Sequence, residues 1–138
     1  TGQNEDECKS FVRENGLESR VDFLGHQDAG QIAQQLRLHR TLVFPSLCEE
    51  AFGLVVLEGL ACGCGIIASN RGGIPEALGG HGVLFDPGDE QALFEALQSE
   101  LSSPSPVDQD SIDSHLQQFA PEAVAAAYEK LMDGHPQQ

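Results

Sequence analysis

Two carboxylates, Glu50 and Glu58, stand eight positions apart, with seven residues between them, in the stretch PSLCEEAFGLVVLE, residues 45–58. Glu58 falls in an apolar segment expected to be helical, and its neighbours at three and four positions are Leu54, Val55, Ala61 and Cys62. That pattern predicts a helix buried on most sides, where a carboxylate is costly without partners. Two readings fit it: a Glu bonded to nearby backbone or facing a packing gap, and a Glu facing a polar ligand in a cleft. The preceding loop bears on the second. Pro45 ends an apolar run expected to be a strand, and Gly53 opens the helix. Ligands of open α/β sheets bind beyond the carboxyl ends of strands, and a helix starting there offers free N–H groups and positive dipole to phosphate. A wholly helical interval between the two Glu would span roughly 12 Å, about a diphosphate with a sugar hydroxyl at either end. Each carboxylate has two acceptor oxygens for such hydroxyls.

The surrounding pattern is strand and helix in alternation. Helices are expected over Glu5–Asn15, Ala29–Leu38, Phe52–Cys62, Asp89–Leu101, Gln109–Phe119 and Pro121–Met132. In the fourth of these, Leu93, Phe94, Leu97 and Leu101 form the apolar stripe. Strands are expected at RVDFL (20–24), TLVF (41–44), GIIA (65–68) and GVLF (82–85), the second fully buried as an unbroken apolar run. The Ser/Pro-rich SSPSP at 102–106 reads as an exposed connector, and GHPQQ at the end as frayed. Gly72 and Gly73, before Pro75 and Glu76, read either as a tight turn near the cleft or as a turn that starts a short helix. The alternation points to an α/β fold with a parallel, Rossmann-like sheet of about four strands flanked by helices.

Composition narrows the partners. The chain has 138 residues, one domain's worth, and 40% are hydrophobic, so a real core is within reach. A net charge of −15 makes nucleic acid and anionic membrane surfaces poor partners. No apolar run is long enough to span a membrane. The four cysteines and five histidines lack ligand spacing, so no metal is expected. Reduced thiols in a cytoplasmic protein are the expectation. Thr1 rather than Met opens the chain, which reads as a piece of a longer protein.

PSLCEEAFGLVVLEGLACGCGIIASNRGGIPEAL resembles the donor-binding motif of glycosyltransferase family 4, the "glycosyl transferases group 1" proteins of the GT-B fold. Pro45, Ser46, Glu50, Phe52, Gly53, Glu58, Ala61 and Gly63 carry the resemblance. VDFLGH (21–26) and GVLFDPGDEQAL (82–93) extend it from about Thr1 to Leu101. It implies a C-terminal, nucleotide-sugar-binding domain of a retaining glycosyltransferase that moves a hexosyl group from a nucleotide diphosphate sugar to an acceptor. It implies no cofactor or metal. Glu50 would bind the transferred sugar at the catalytic position. Phe52 and Gly53 would offer backbone N–H groups to that sugar, Leu54 and Val55 to the distal phosphate, and Glu58 would take the ribose hydroxyls. His26 and Gln27 lie where the family holds the base, although His26 also reads as an ordinary loop residue.

The departures are as informative. Cys64-Gly65 stands where the family usually has Thr-Pro, and His39-Arg40 where it has Tyr or Ala followed by Asp. Nothing in the chain matches the family's N-terminal acceptor domain, or the first two βα units with their phosphate-neutralising Arg and Lys. In the strand order 3-2-1-4-5-6 the middle strands would then be missing. The expectation is a TLVF strand that pairs with RVDFL or exposes an edge open to self-association. The alternative to an enzyme part is a non-catalytic Rossmann-like interaction module. A dehydrogenase is disfavoured because no strand leads into G-x-G-x-x-G.

Overall fold

The computed structural model describes residues 4–104 and 108–133. The end of the Ser/Pro connector and residues 134–138 therefore lie outside the described residues. The chain divides into two compact units, residues 1–32 and 33–138.

The first unit holds helix α1, Glu5–Glu14, with acidic residues in its first turn and Arg13 in its last, each suited to the helix dipole there. Val12 is its buried side chain. Lys9 pairs with Glu5 at 2.6 Å and lies 5.6 Å from the ring centre of Phe23. Residues 20–24 form no strand, contrary to expectation. A strand needs a ladder partner, and the alternation of RVDFL buries neither of its faces: Val21, Phe23 and Leu24 are all exposed. Helix α2, Ala29–Leu38, begins in this unit, with Asp28 and Gln31 exchanging side-chain and backbone bonds at 2.9 Å across its first turn.

The second unit is built on a parallel sheet of three strands in the order β1-β2-β3: Thr41–Phe44, Gly65–Ser69 and Val83–Phe85. The register pairs Thr41 with Gly65 and Ile67 with Val83. The expected fourth strand is absent, so β1 is an edge. That is why its four residues are half-buried rather than buried, whereas Ile66, Ile67, Ala68 and Ser69 of the central strand are almost wholly enclosed. Helix α3, Leu54–Ala61, joins β1 to β2, and α4, Ile74–Leu78, joins β2 to β3. Helix α5, Glu90–Ser102, is capped by Asp89, whose carboxylate accepts from the Ala92 N–H at 2.9 Å. Its inward stripe is Leu93, Ala96, Leu97 and Glu100; Phe94 and Leu101, expected in that stripe, point outward. One Arg40 Nη donates to the Glu100 carbonyl at 3.1 Å. Helices α6, Gln109–Gln117, and α7, Pro121–Asp133, follow. The core gathers Val56 and Leu60 of α3, the central strand, Ile74 and Leu78 of α4, Phe85 and Ile112. Among the described residues no helix is long and apolar enough to cross a membrane.

Candidate functional site

Helix α3 starts later than its apolar pattern predicts, because Gly53 adopts φ 86° and ψ 51° and turns the chain sharply before Leu54. A side chain is strained in that conformation. No side chain caps the helix, and the N–H groups of Leu54 and Val55 have no carbonyl within it to bind. The Glu50 carbonyl, which a longer helix would offer to Leu54, instead accepts from the Gly73 N–H at 2.9 Å. The interval from Glu50 to Glu58 is thus half loop and half helix, not the single helical span expected.

The turn at 70–73 holds this loop from below. A Cβ on Gly72 would collide with the Glu50 carbonyl oxygen, and one on Gly73 would lie 2.5 Å from the Ala51 oxygen and 2.7 Å from the Phe52 Cα. Gly73 then serves as N-cap of α4, so the glycine pair is both the tight turn and the start of a short helix. Arg71 in the same turn reaches the Glu49 carboxylate at 3.1 Å. Both groups are substantially exposed, and such pairs contribute at most about 1 kcal/mol.

Glu50 is half-buried, and the Ser46 hydroxyl donates to its Oε1 at 2.8 Å. Ser46 Oγ also accepts weakly from the Cys48 N–H at 3.3 Å. Glu58 corrects an expectation: it is exposed, not enclosed. Helix α3 buries only the face carrying Val56, Gly59 and Leu60, and Gly59 lets that face sit directly on the sheet. A Cβ there would come within 2.7 Å of both Ile66 Cδ1 and Leu42 Cδ2. The opposite face keeps Glu58 beside Leu54, which is 66% exposed, and the exposed Ala61. Glu58 therefore needs no internal partner, and its claim to a ligand rests on position rather than on the cost of burial.

Phe52 is half-buried, and its ring meets Phe119 edge-on at 5.1 Å between centres. No local spacing in the sequence marks Phe119, since the contact joins residues far apart in the chain. A cavity of about 190 Å³ opens at the carboxyl ends of β1 and β3, lined in part by Pro45, Leu47, Phe85 and Leu93. Another, of about 220 Å³, lies at the opposite, amino ends of β2 and β3 beside Gly65 and Val83, the end where open α/β sheets do not bind their ligands. His26 and Gln27 belong to the first unit. There His26 is exposed, and the Gln27 amide donates to the Leu24 carbonyl at 2.8 Å and the His26 carbonyl at 3.1 Å. Among the described residues no three His, Cys, Asp or Glu side chains are grouped to hold a metal ion.

A loop before a helix thus lies at the carboxyl edge of the parallel sheet, with a Glu on each side of the helix start. The family model of "Glycosyl transferases group 1" matches residues 1–103. The chain belongs to this family. N-acetyl-alpha-D-glucosaminyl L-malate synthase of Bacillus anthracis is 34% identical over 128 residues, which cover 88% of this chain and 32% of that protein. O-antigen chain mannosyltransferase B of Escherichia coli is 30% identical over 104 residues, 75% of this chain and 27% of that one. Among solved structures, the apo form of the lipopolysaccharide outer core galactosyltransferase WaaB superimposes with a TM-score of 0.78 at 25% identity, covering 95% of this chain and 38% of that one. The chain thus spans about a third of the length of these glycosyltransferases.

Proposed function

We propose that this chain is the nucleotide-sugar-binding, C-terminal part of a retaining GT-B glycosyltransferase, serving transfer of a hexosyl group from a nucleotide diphosphate sugar. The observation that carries the reading is the start of α3: Gly53 at φ 86° leaves the N–H groups of Leu54 and Val55 unbound within the helix, between Glu50 and Glu58. In this reading Leu54 and Val55 receive the distal phosphate, Glu58 the ribose hydroxyls, and Glu50, with the N–H groups of Phe52 and Gly53, the transferred sugar. The helix N-terminus steadies the charge that develops on the leaving diphosphate. Anabaena Alr3699/HepE supports the nucleotide part: in complex with UDP it superimposes at a TM-score of 0.70 with 26% identity, over 96% of this chain and 37% of that one.

The acceptor then belongs to a separate N-terminal domain, and the full enzyme works in the cytoplasm without metal or other cofactor. The open edge of β1 is where further strands, or a second copy of the chain, would pair. Thermal-shift titration with uridine, guanosine and adenosine diphosphates, each with and without sugar, tests the reading. Binding that Glu58→Ala abolishes supports it. No shift with any of them at millimolar concentration favours the alternative, an interaction module that keeps the fold without a donor site.

A further inference from the structure

We infer that Phe119, just past the end of α6, is a positioning residue for the loop that opens α3: its ring braces Phe52 and so fixes the backbone N–H groups of Phe52 and Gly53. The link to the donor rests on the function proposed above; the brace itself rests on geometry alone. Phe52 lies in a bend before the helix, so no helical bond holds it. Its backbone is seated on Gly73, where a Cβ would come within 2.7 Å of its Cα. Its ring is held on the other side by Phe119, with the two planes at 63°, an edge-to-face arrangement favoured by the ring quadrupoles.

Phe119 is itself immobilised. Its N–H donates to the Leu116 carbonyl at 3.0 Å, and its ring packs edge-on against His115 at 5.1 Å and 79°. His115 Nε2 lies 2.9 Å from the Ala77 carbonyl of α4, which accepts its proton. The imidazole sits so close to the α4 end that a Cβ on Gly79 would collide with it. Ile112, one turn earlier in α6, is 3% exposed and seats that helix in the core. A path of direct contacts therefore runs from Ala77 through His115 and Phe119 to Phe52. Helix α6 and Phe119 lie wholly beyond the residues 1–103 matched to the family, so the segment that follows the matched domain completes its binding loop.

Amide hydrogen exchange on the whole chain tests the brace. Phe119→Ala speeds exchange of the two hydrogen-bonded amides that hold the loop, Gly73 on the Glu50 carbonyl and Val56 on the Gly53 carbonyl, each at 2.9 Å, by about tenfold, the scale of one aromatic pair, while residues 66–68 of β2 keep their protection. Phe119→Leu, which keeps apolar volume but loses the ring edge, gives a smaller increase. Adding Phe52→Ala to Phe119→Ala produces no further increase. Unchanged exchange at Gly73 and Val56 in Phe119→Ala overturns the inference, as does an equal loss of protection in β2. Titration with UDP and UDP-glucose separates positioning from simple support: Phe119→Ala lowers the affinity for UDP-glucose while leaving that for UDP, and equal loss of both overturns the positioning role. If the unaltered chain binds neither probe, the proposed function fails while the exchange result still decides the brace.

Discussion

The backbone N–H of Gly73 donates to the carbonyl of Glu50 at 2.9 Å. This one bond joins the loop after β1 to the turn after β2, and it takes the acceptor that would otherwise extend α3 backwards. The loop before the helix is thereby held off the helical path, and α3 begins only at Leu54. Gly72 and Gly73 allow it because any side chain at either position would occupy the space of the Glu50–Phe52 backbone.

Gly73→Ala should therefore destabilise the fold and displace the loop together. Gly73 has φ −82°, which alanine adopts freely, so the cost is steric: overpacking of this kind is worth about 1–3 kcal/mol. Urea denaturation should show a lowered midpoint with an unchanged slope. A midpoint equal to that of the unaltered chain would show that the turn has room to spare.

Ser46→Ala removes the hydroxyl that donates to Glu50 Oε1 at 2.8 Å. A bond of this type contributes about 1 kcal/mol, so affinity for a nucleotide sugar should fall about fivefold. Affinity for the nucleotide alone should hold, since Glu50 is assigned to the sugar. Calorimetric titration with each ligand separates the two; an equal fall for both would reassign Ser46 to general support of the loop.

Gly59→Val tests the seat of α3. The added Cβ would meet Ile66 Cδ1 and Leu42 Cδ2, each at 2.7 Å, inside a core where both ends of the contact are packed. Loss of about 1–3 kcal/mol is expected, as for other overpacked cores, read as a drop in melting temperature of several degrees. Unchanged melting would mean that the helix rides free of the sheet.

The thiols should differ sharply in reactivity. Cys64 is 1% exposed and lies 3.1 Å from the Leu36 carbonyl, whereas Cys8 and Cys48 are exposed and Cys62 is intermediate. Burial, and secondarily the nearby Cys62, push the Cys64 thiol above its ordinary value of 9.0. The folded state thus favours the neutral thiol; that contribution is full below the ordinary value and is lost as pH rises through the folded one. Iodoacetamide at pH 8 should label Cys8 and Cys48 first, Cys62 more slowly and Cys64 only on unfolding. Labelling of Cys64 at the rate of Cys8, followed by mass spectrometry, would contradict the burial.

What the sequence revealed follows from the range of the interactions. The helices over 29–38 and 90–102 and the strands at 41–44 and 65–69 were legible because their periodicity and their stops at Gly and Pro are local. The exposure of Glu58 is not legible in the sequence because an apolar helix surface does not say which face meets the core; Gly59, the smallest residue, marks that face, and the larger Leu54 stands outside it. RVDFL has strand composition but no ladder partner, and composition alone cannot supply one. In α5 the inward stripe includes Glu100, a residue that hydropathy assigns to solvent. Phe119 was illegible for a different reason: its contact with Phe52 joins two residues 67 positions apart.

Titration of the whole chain and its Glu58→Ala variant with UDP, GDP and ADP tests the central claim most directly, since a ligand that binds only the folded state raises its stability by mass action. The account predicts that at least one of these nucleotides raises the melting temperature of the unaltered chain and that Glu58→Ala abolishes the rise while leaving the unliganded melting temperature within about 1 °C, as expected for an exposed residue. No rise with any of the three at millimolar concentration, or a rise that survives Glu58→Ala undiminished, would contradict it.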